Sequence, residues 1–305
     1  MTESRAADRE EEGITLRSLL TEAEQVLARA DVPDFKLDAR ILMVYILSIS
    51  EAEILLDSGH LVSRHDVDRY RCAVARRSRR EPLQYITGEQ EFMGLPFLVT
   101  PDVLIPRQDT ETLVETAEKY LHGGERILDL CTGSGCIAVS LSVRKKAVVC
   151  GTDLSGKALR IAEENGRRNH ADITWIRSDI YSHVTGGFDM IVSNPPYIQR
   201  SVIGGLMPEV RKFEPKEALD GGEDGLFFYR KIISGAPAHL QGMGRLLVEI
   251  GFDQAGAVSR MFTDCGFRNV EVIRDLAGCS RVVSGVCRTC PGEENDERQL
   301  YEVHG

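Results

Sequence analysis

The sequence predicts an α/β fold: a Rossmann-like, mostly parallel sheet, preceded by a small N-terminal helical bundle domain and joined to it by a β-hairpin. Three observations point there. Residues 14–80 hold a series of short segments whose apolar residues recur at helical spacing. From Arg126 onward short apolar runs alternate with amphipathic stretches, the pattern of βαβ units in a sheet covered on both faces. Between the two regions, Glu91-Phe92-Met93-Gly94-Leu95-Pro96-Phe97-Leu98-Val99 places two short apolar runs around a glycine, a hairpin signal.

Length and composition bound the rest. A chain of 305 residues with 42% hydrophobic residues allows about two domains with a full core. No apolar stretch is long enough to span a bilayer, and the longest, around Ile41 to Ile49, suits a buried helix. The N-terminus lacks the basic-then-apolar order of a signal peptide, so a cytoplasmic protein is expected. A net charge of -10 disfavours general nucleic-acid binding, so no direct sequence-specific nucleic-acid contact and no membrane contact are expected. Most of the 8 cysteines sit in apolar runs and read as small buried residues in a reducing compartment. Cys287 and Cys290 form one C-x-x-C, but a zinc ribbon needs a second pair and a redox motif a different setting, so no metal site is expected.

In chain order, residues 1–13 are polar and acidic and read as a flexible leader. Leu16, Leu19, Leu20, Ala23, Val26 and Leu27 trace one helix face, with Thr15 placed to cap it. Further helices are expected from about Leu37 to Ser48, Ala52 to Leu56 and His65 to Arg80. The last carries Arg69, Arg71, Arg76, Arg77, Arg79 and Arg80, either a solvated face or a docking face for an acidic or nucleic-acid-bearing partner. After the hairpin, Pro106 opens a second domain, with Asp109 or Thr110 placed to cap its first helix. Strands are expected at Arg126 to Leu130, Ala147 to Asp153, Ile173 to Arg177, Phe188 to Val192 and Arg245 to Ile250, with a closing pair at Val270 to Ile273 and Arg281 to Val286. Helices are expected at Gly135 to Ser142 and Gly156 to Asn169.

Four strand ends carry chemistry, in two groups. Cys131-Thr132-Gly133-Ser134-Gly135 follows the first strand, and a Gly-rich turn there lets a ligand approach the backbone. Ala138 stands where a dinucleotide fingerprint wants a third glycine, and no phosphate-binding lysine is present, which lowers the case for NAD. Asp153, at the next strand end, can grip both hydroxyls of a ribose. Asp179 beyond the third can accept from an adenine amine, with Ile180 walling the ring. These pieces suit a nucleoside without phosphates, of which S-adenosyl-L-methionine is the obvious case. The second group is the single strand end Ser193-Asn194-Pro195-Pro196-Tyr197. Two prolines stop the ladder and stiffen the loop. Asn194 and Pro195 each offer a carbonyl oxygen, and Tyr197 a flat wall, a set that suits a planar NH₂ group. That group could be a side-chain amide or a nucleobase amine.

With these motifs, Glu81-Pro82-Leu83-Gln84-Tyr85-Ile86-Thr87-Gly88, Ile105-Pro106-Arg107, Asp109-Thr110-Glu111, Phe213-Glu214-Pro215 and Asp275-Leu276-Ala277-Gly278 with Arg281-Val282-Val283 make residues 14 to 288 resemble the peptide chain release factor glutamine methyltransferases, a class I S-adenosylmethionine-dependent family. The resemblance implies a seven-stranded methyltransferase sheet over 106–290, a helical substrate-docking domain over 14–87, a hairpin linker over 88–105 and a polar tail over 291–305. It implies methyl transfer from S-adenosyl-L-methionine, leaving S-adenosyl-L-homocysteine, to the glutamine of the Gly-Gly-Gln loop of release factors, and so a role in translation termination. It implies cofactor binding by Cys131 to Gly135, Asp153, Asp179, Ile180 and Asn194, and substrate binding by Asn194, Pro195, Pro196 and Tyr197. Catalysis would rest on Asn194, Pro195 and Tyr197. Cys131 stands where the family has glycine, Gln108 where it has proline, and Cys279-Ser280 where it has a more polar pair. The alternatives are an adenine methyltransferase acting on DNA or RNA, which shares the acceptor pair, and a non-catalytic cofactor-binding module.

Overall fold

The structure is a computed structural model that describes residues 13–287. The acidic leader, the polar tail and Cys290 of the C-x-x-C lie outside the described residues. The chain divides into two compact units. One takes in the chain up to Gly88 together with Pro208–Phe213; the other takes in Glu89–Met207 and the chain from Glu214 on.

The first unit is helical: α1 (Leu16–Arg29), α2 (Phe35–Leu47), α3 (Glu51–Leu56), α4 (Arg64–Ser78) and α5 (Leu83–Thr87). Thr15 and Ser50 close reciprocal capping boxes with Ser18 and Glu53 at the starts of α1 and α3. The core is the apolar stripe that the spacing predicts, with Leu16, Leu19 and Leu27 of α1 packed with Leu42, Met43, Val67 and Tyr70. The arginines of α4 and of the turn that follows it are largely committed within this unit. Arg71 pairs with Glu22 at 2.7 Å, Arg77 with Asp38 at 2.7 Å, and Arg77 and Arg80 both grip Glu209 of the Pro208–Phe213 helix at 3.0 and 2.5 Å. Much of the arginine run therefore knits the bundle, because each long side chain reaches a carboxylate on a neighbouring segment.

The second unit opens with the hairpin β1 (Glu89–Phe92) and β2 (Leu95–Leu98), then α6 (Gln108–Glu118), β3 (Arg126–Leu130), α7 (Cys136–Lys145), β4 (Val148–Asp153), α8 (Gly156–Arg168), β5 (Ile173–Arg177) and β6 (Phe188–Ser193). In chain order Pro208–Phe213 is α9. The second unit continues with α10 (Phe227–Gly235), β7 (Leu240–Glu249), α11 (Ala255–Asp264), β8 (Arg268–Arg274) and β9 (Ser280–Val286). The seven-stranded sheet runs β5-β4-β3-β6-β7-β9-β8, with five adjacent parallel strands followed by β9, which runs antiparallel to both of its neighbours, β7 and β8. Alternate residues feed opposite faces: Leu128, Leu130, Leu246 and Val248 join one core, and Ile127, Val149, Val192 and Leu247 the other. Phe92 and Phe97 of the hairpin are buried in the second of these cores.

Three expectations change. The sequence pattern gave no reading of α9, α10 and α11. The first helix of this unit starts at Gln108 after Arg107 with no side-chain cap; Asp109 instead meets Arg281 at 2.9 Å, and the Thr110 hydroxyl meets Asn194. Of the described cysteines only Cys136 and Cys287 are buried, whereas Cys72, Cys265 and Cys279 are exposed. Cys72 lies on the outer side of α4, and the other two fall at the end of α11 and in the β8–β9 turn.

Candidate active site

The strand order reverses between β3 and β6, which lie side by side with Leu130 opposite Ser193. Open α/β sheets bind ligands at such a switch point, beyond the carboxyl ends of the strands. The loops that leave these two strands are Cys131–Gly135 and Asn194–Tyr197, so motifs about sixty residues apart in sequence come together there. The Ser193 hydroxyl donates to the Leu130 carbonyl at 2.8 Å and locks the two strand ends together.

A cavity of about 590 Å³ opens over these ends. Its walls come from Cys131 to Ser134, Asp153, Asp179 and Ile180, Asn194 and Pro196, and the segment 101–107. The volume lies within the range of small-molecule sites. In the first loop, Cys131 adopts φ 59°, a left-handed backbone that costs an L-residue energy. The Thr132 hydroxyl donates to Asp129 at 2.5 Å. Asp153 accepts from the Gly133 and Ser155 backbones at 2.9 and 2.8 Å. The carboxylate thus ties the β3 loop to the end of β4, and each of its oxygens keeps a further lone pair for a ribose hydroxyl. Burial pushes the Asp153 pKa up, against the pull of those backbone donors.

Gly135 is not on the cavity wall. It has φ 79°, and a Cβ there would stand 2.9 Å from the Trp175 ring and 3.0 Å from Ala162. Its glycine is required for α7 to start against its neighbours, so its part in the site is to shape the loop. Asp179 is half exposed and lies 3.6 Å from the Lys231 ammonium. Ile180 is buried at φ 52°, an outlier for a β-branched residue. The Ser178 hydroxyl holds that turn by donating to the Ile180 carbonyl at 2.9 Å while accepting from the His183 backbone at 3.0 Å.

At the other strand end, Asn194 donates through Nδ2 to the Thr110 hydroxyl at 3.1 Å. Among the described residues no donor meets Asn194 Oδ1 or the Pro195 carbonyl. Pro195 and Tyr197 lie off the cavity wall, although Asn194 and Pro196 are on it. The Tyr197 ring packs on the core of the sheet, its hydroxyl donates to Glu249 Oε1 at 3.3 Å, and its carbonyl accepts from Gln254 at 2.9 Å. Tyr197 thus stands on the core side of the loop and not on the cavity wall.

Several residues here carried no role in the sequence reading. Glu249, 1% exposed at the end of β7, is pushed up to about 7 by burial, with Thr110, Arg281 and Tyr197 opposing. Arg281 is shared by Asp275 at 3.0 Å and Asp109 at 2.9 Å. Arg107, on the cavity wall, is paired with buried Glu214. Arg107, Glu214, Asp275 and Arg281 all stand in the stretches that carry the resemblance, the one signal that marked them in advance.

Comparison with known proteins gives the same picture. Residues 18–88 match the PrmC N-terminal domain family, and residues 107–206 match the methyltransferase small domain family. The chain is 41% identical over 273 residues to the release factor glutamine methyltransferase of Geobacter sulfurreducens, covering 89% of this chain and 96% of that protein. It is 42% identical over 275 residues to that of Moorella thermoacetica, covering 88% and 97%. Among solved structures, a methyltransferase from Pyrococcus furiosus aligns with TM-score 0.52 at 21% identity over 70% of this chain and 99% of that one, a likeness of fold.

Proposed function

The chain belongs to the release factor glutamine methyltransferase family, and from that premise we propose that it methylates the side-chain nitrogen of the glutamine in the Gly-Gly-Gln motif of peptide chain release factors. It is a methyltransferase, and its cofactor is S-adenosyl-L-methionine. The residues at the cavity fit that cofactor: a carboxylate with spare lone pairs at the end of β4, a loop that exposes its backbone after β3, and a cavity of about 590 Å³. Asp153 would hold the ribose hydroxyls, Asp179 and Ile180 would receive the base, and Cys131 to Ser134 would contact the rest of the molecule. When bound, the cofactor supplies an electrophilic methyl group on a sulfonium.

The observation that carries this reading is the pair of unclaimed carbonyl oxygens, Asn194 Oδ1 and Pro195 O, at the end of β6 beside the cavity. An amide nitrogen is a poor nucleophile because its lone pair is delocalised into its carbonyl, so the task of the site is alignment. Two acceptors take the two hydrogens of the glutamine NH₂ and turn the nitrogen toward the cavity. They also stabilise positive charge as it develops on nitrogen, an interaction stronger in the transition state than before it. Pro195 and Pro196 keep the acceptor loop stiff, and Tyr197 supports it from the core side.

The test is to incubate the protein with isotopically labelled cofactor and a release factor, and to map the label by mass spectrometry. Label on the Gly-Gly-Gln glutamine is expected, and a release factor with that glutamine replaced takes up none. Label on duplex DNA or RNA with none on the release factor would refute the assignment.

A further inference from the structure

We infer that Gln254 pins the far end of the acceptor loop and so sets where the Asn194 and Pro195 oxygens stand, which makes it a positioning residue for methyl transfer. The inference rests on the acceptor role given to those oxygens above. The problem it addresses is mechanical. Pro195 and Pro196 stiffen the loop, but a stiff segment is placed only as well as its two ends are held. At the near end β6 lies in the sheet, and the Ser193 hydroxyl ties it to the Leu130 carbonyl at 2.8 Å. At the far end no strand continues. Ile198 meets Asp220 in an isolated bridge, its N–H donating to the Leu219 carbonyl at 3.0 Å and its carbonyl accepting from the Gly221 N–H at 2.8 Å.

Gln254 reinforces that end from the turn between β7 and α11. Its Nε2 donates to the Tyr197 carbonyl at 2.9 Å and to the Gly225 carbonyl at 3.3 Å. Its Oε1 accepts from the Gly251 backbone at 2.9 Å and lies 3.3 Å from the Tyr229 hydroxyl. A backbone N–H only donates and a backbone carbonyl only accepts, so these partners fix which end of the amide faces which. One side chain thus joins three segments: the acceptor loop, the glycine-rich stretch 220–225 and the turn after β7. The glycines let that stretch come close. A Cβ on Gly221 would stand 2.8 Å from the Tyr197 Cα and carbonyl carbon. A Cβ on Gly225, at φ 73°, would stand 2.5 Å from the Tyr197 oxygen and 2.8 Å from Gln254 Nε2. The Tyr197 carbonyl therefore lies against bare backbone and is held there by the Gln254 amide.

Tyr197 is two residues beyond Pro195, so a shift at its carbonyl is carried through the proline backbone to the acceptor pair. A misplacement of about 1 Å is enough to cost about 10²-fold in rate, and it leaves the cofactor half of the cavity as it was. Gln254→Glu keeps the shape of the side chain and its bond to Gly251, but it turns a carboxylate oxygen toward the Tyr197 and Gly225 carbonyls. Gly225→Ala leaves Gln254 unchanged and pushes on the same Tyr197 oxygen.

The experiment compares Gln254→Ala, Gln254→Glu and Gly225→Ala with the wild-type protein. Turnover on a release factor is separated into kcat and KM, and cofactor Kd is measured by calorimetry. All three variants are expected to lower kcat by about 10²-fold, with cofactor Kd and release-factor KM within about threefold. In parallel, hydrogen exchange at the Ile198 and Gly221 backbone amides is followed by NMR in the protein without substrate. Faster exchange at these two amides is expected in each variant, with the amides of β3 and β4 unchanged. A kcat for either Gln254 variant within threefold of wild type, a cofactor Kd that worsens in step with kcat, or unchanged exchange at Ile198 and Gly221 would overturn the inference. The exchange measurement reads the pinning even if the wild-type protein methylates no Gly-Gly-Gln glutamine, a result that would instead remove the functional reading. If Gly225→Ala does not fold, Gln254→Glu, close to the wild type in shape, carries the same comparison.

Discussion

The cavity has two halves built by different means. The proposed cofactor half is made at successive strand ends by short local motifs: a glycine-bearing turn after β3, an aspartate after β4, and an aspartate with a strained isoleucine after β5. The proposed acceptor half draws on separated elements: Thr110 of α6 and Asn194 after β6 line the cavity, while Tyr197 of the same loop reaches off it to Glu249 of β7. The first half presents backbone and carboxylate to a small molecule that arrives with its own recognition groups. The second is proposed to present lone pairs to an uncharged amide, and its groups are brought together from distant parts of the chain. Binding and chemistry should therefore separate when each half is damaged.

The sharpest separation comes from Asn194→Ala. Loss of one of the two acceptors is expected to cut kcat by about 10²- to 10³-fold or more, with the thermal midpoint close to wild type because Asn194 is only half buried. Near-normal turnover on a release factor would remove the acceptor half as drawn. The converse change is Asp153→Asn. It takes charge from the ribose site and leaves one of the Gly133 and Ser155 donors poorly matched. The expected result is a rise in cofactor Kd of about tenfold to a hundredfold, about 1.5–3 kcal/mol, with kcat at saturating cofactor nearly kept. Calorimetry and steady-state kinetics on the same preparation decide it, and an unchanged Kd would place the ribose elsewhere.

A smaller effect separates the halves by pH. Burial lifts Asp129, beneath the glycine-bearing loop, from 3.8 to about 7. The folded state then holds a proton that the unfolded state has released, so this contribution to stability is complete below about 4 and is lost as pH rises through about 7. Asp129→Asn carries no such charge, and it still accepts from Thr132. Its stability relative to wild type, from urea midpoints, is expected to rise steadily from pH 4 to 7; a flat difference would mean that Asp129 keeps its ordinary pKa. Smallest is Cys131→Gly. Removing the side chain at φ 59° relieves about 1–2 kcal/mol of backbone strain, and the freer unfolded chain returns about 0.5–1 kcal/mol of it. A net gain of under about 1 kcal/mol is expected, read as a rise in thermal midpoint of about 2 °C. The side chain also packs against the core of the sheet, so a fall would show that this contact outweighs the strain.

Much of the architecture was legible because it is written in periodicity. The apolar spacing of Leu16, Leu19, Ala23 and Leu27 marks α1, and Arg126 to Leu130 and Ile173 to Arg177 coincide with β3 and β5. The elements that escaped, α9, α10 and α11, are short or lie where glycines and loops blur any period. Capping residues misled for α6. Asp109 and Thr110 have the chemistry of caps, but Arg281 and Asn194 are better partners than the end of the helix. Gly135 stands in the loop motif, yet what its glycine answers is the ring of Trp175, forty residues later.

By itself the sequence determined the α/β fold, the strand ends that carry chemistry and the residue types offered there, since these follow from local pattern and from what prolines, glycines and carboxylates do to a chain. Only the tertiary structure decided which lone pairs remain free. That depends on partners brought from distant elements, Thr110 to Asn194 and Tyr197 to Glu249, and hydrogen-bond polarity is a property of the assembled network that no single stretch of sequence contains.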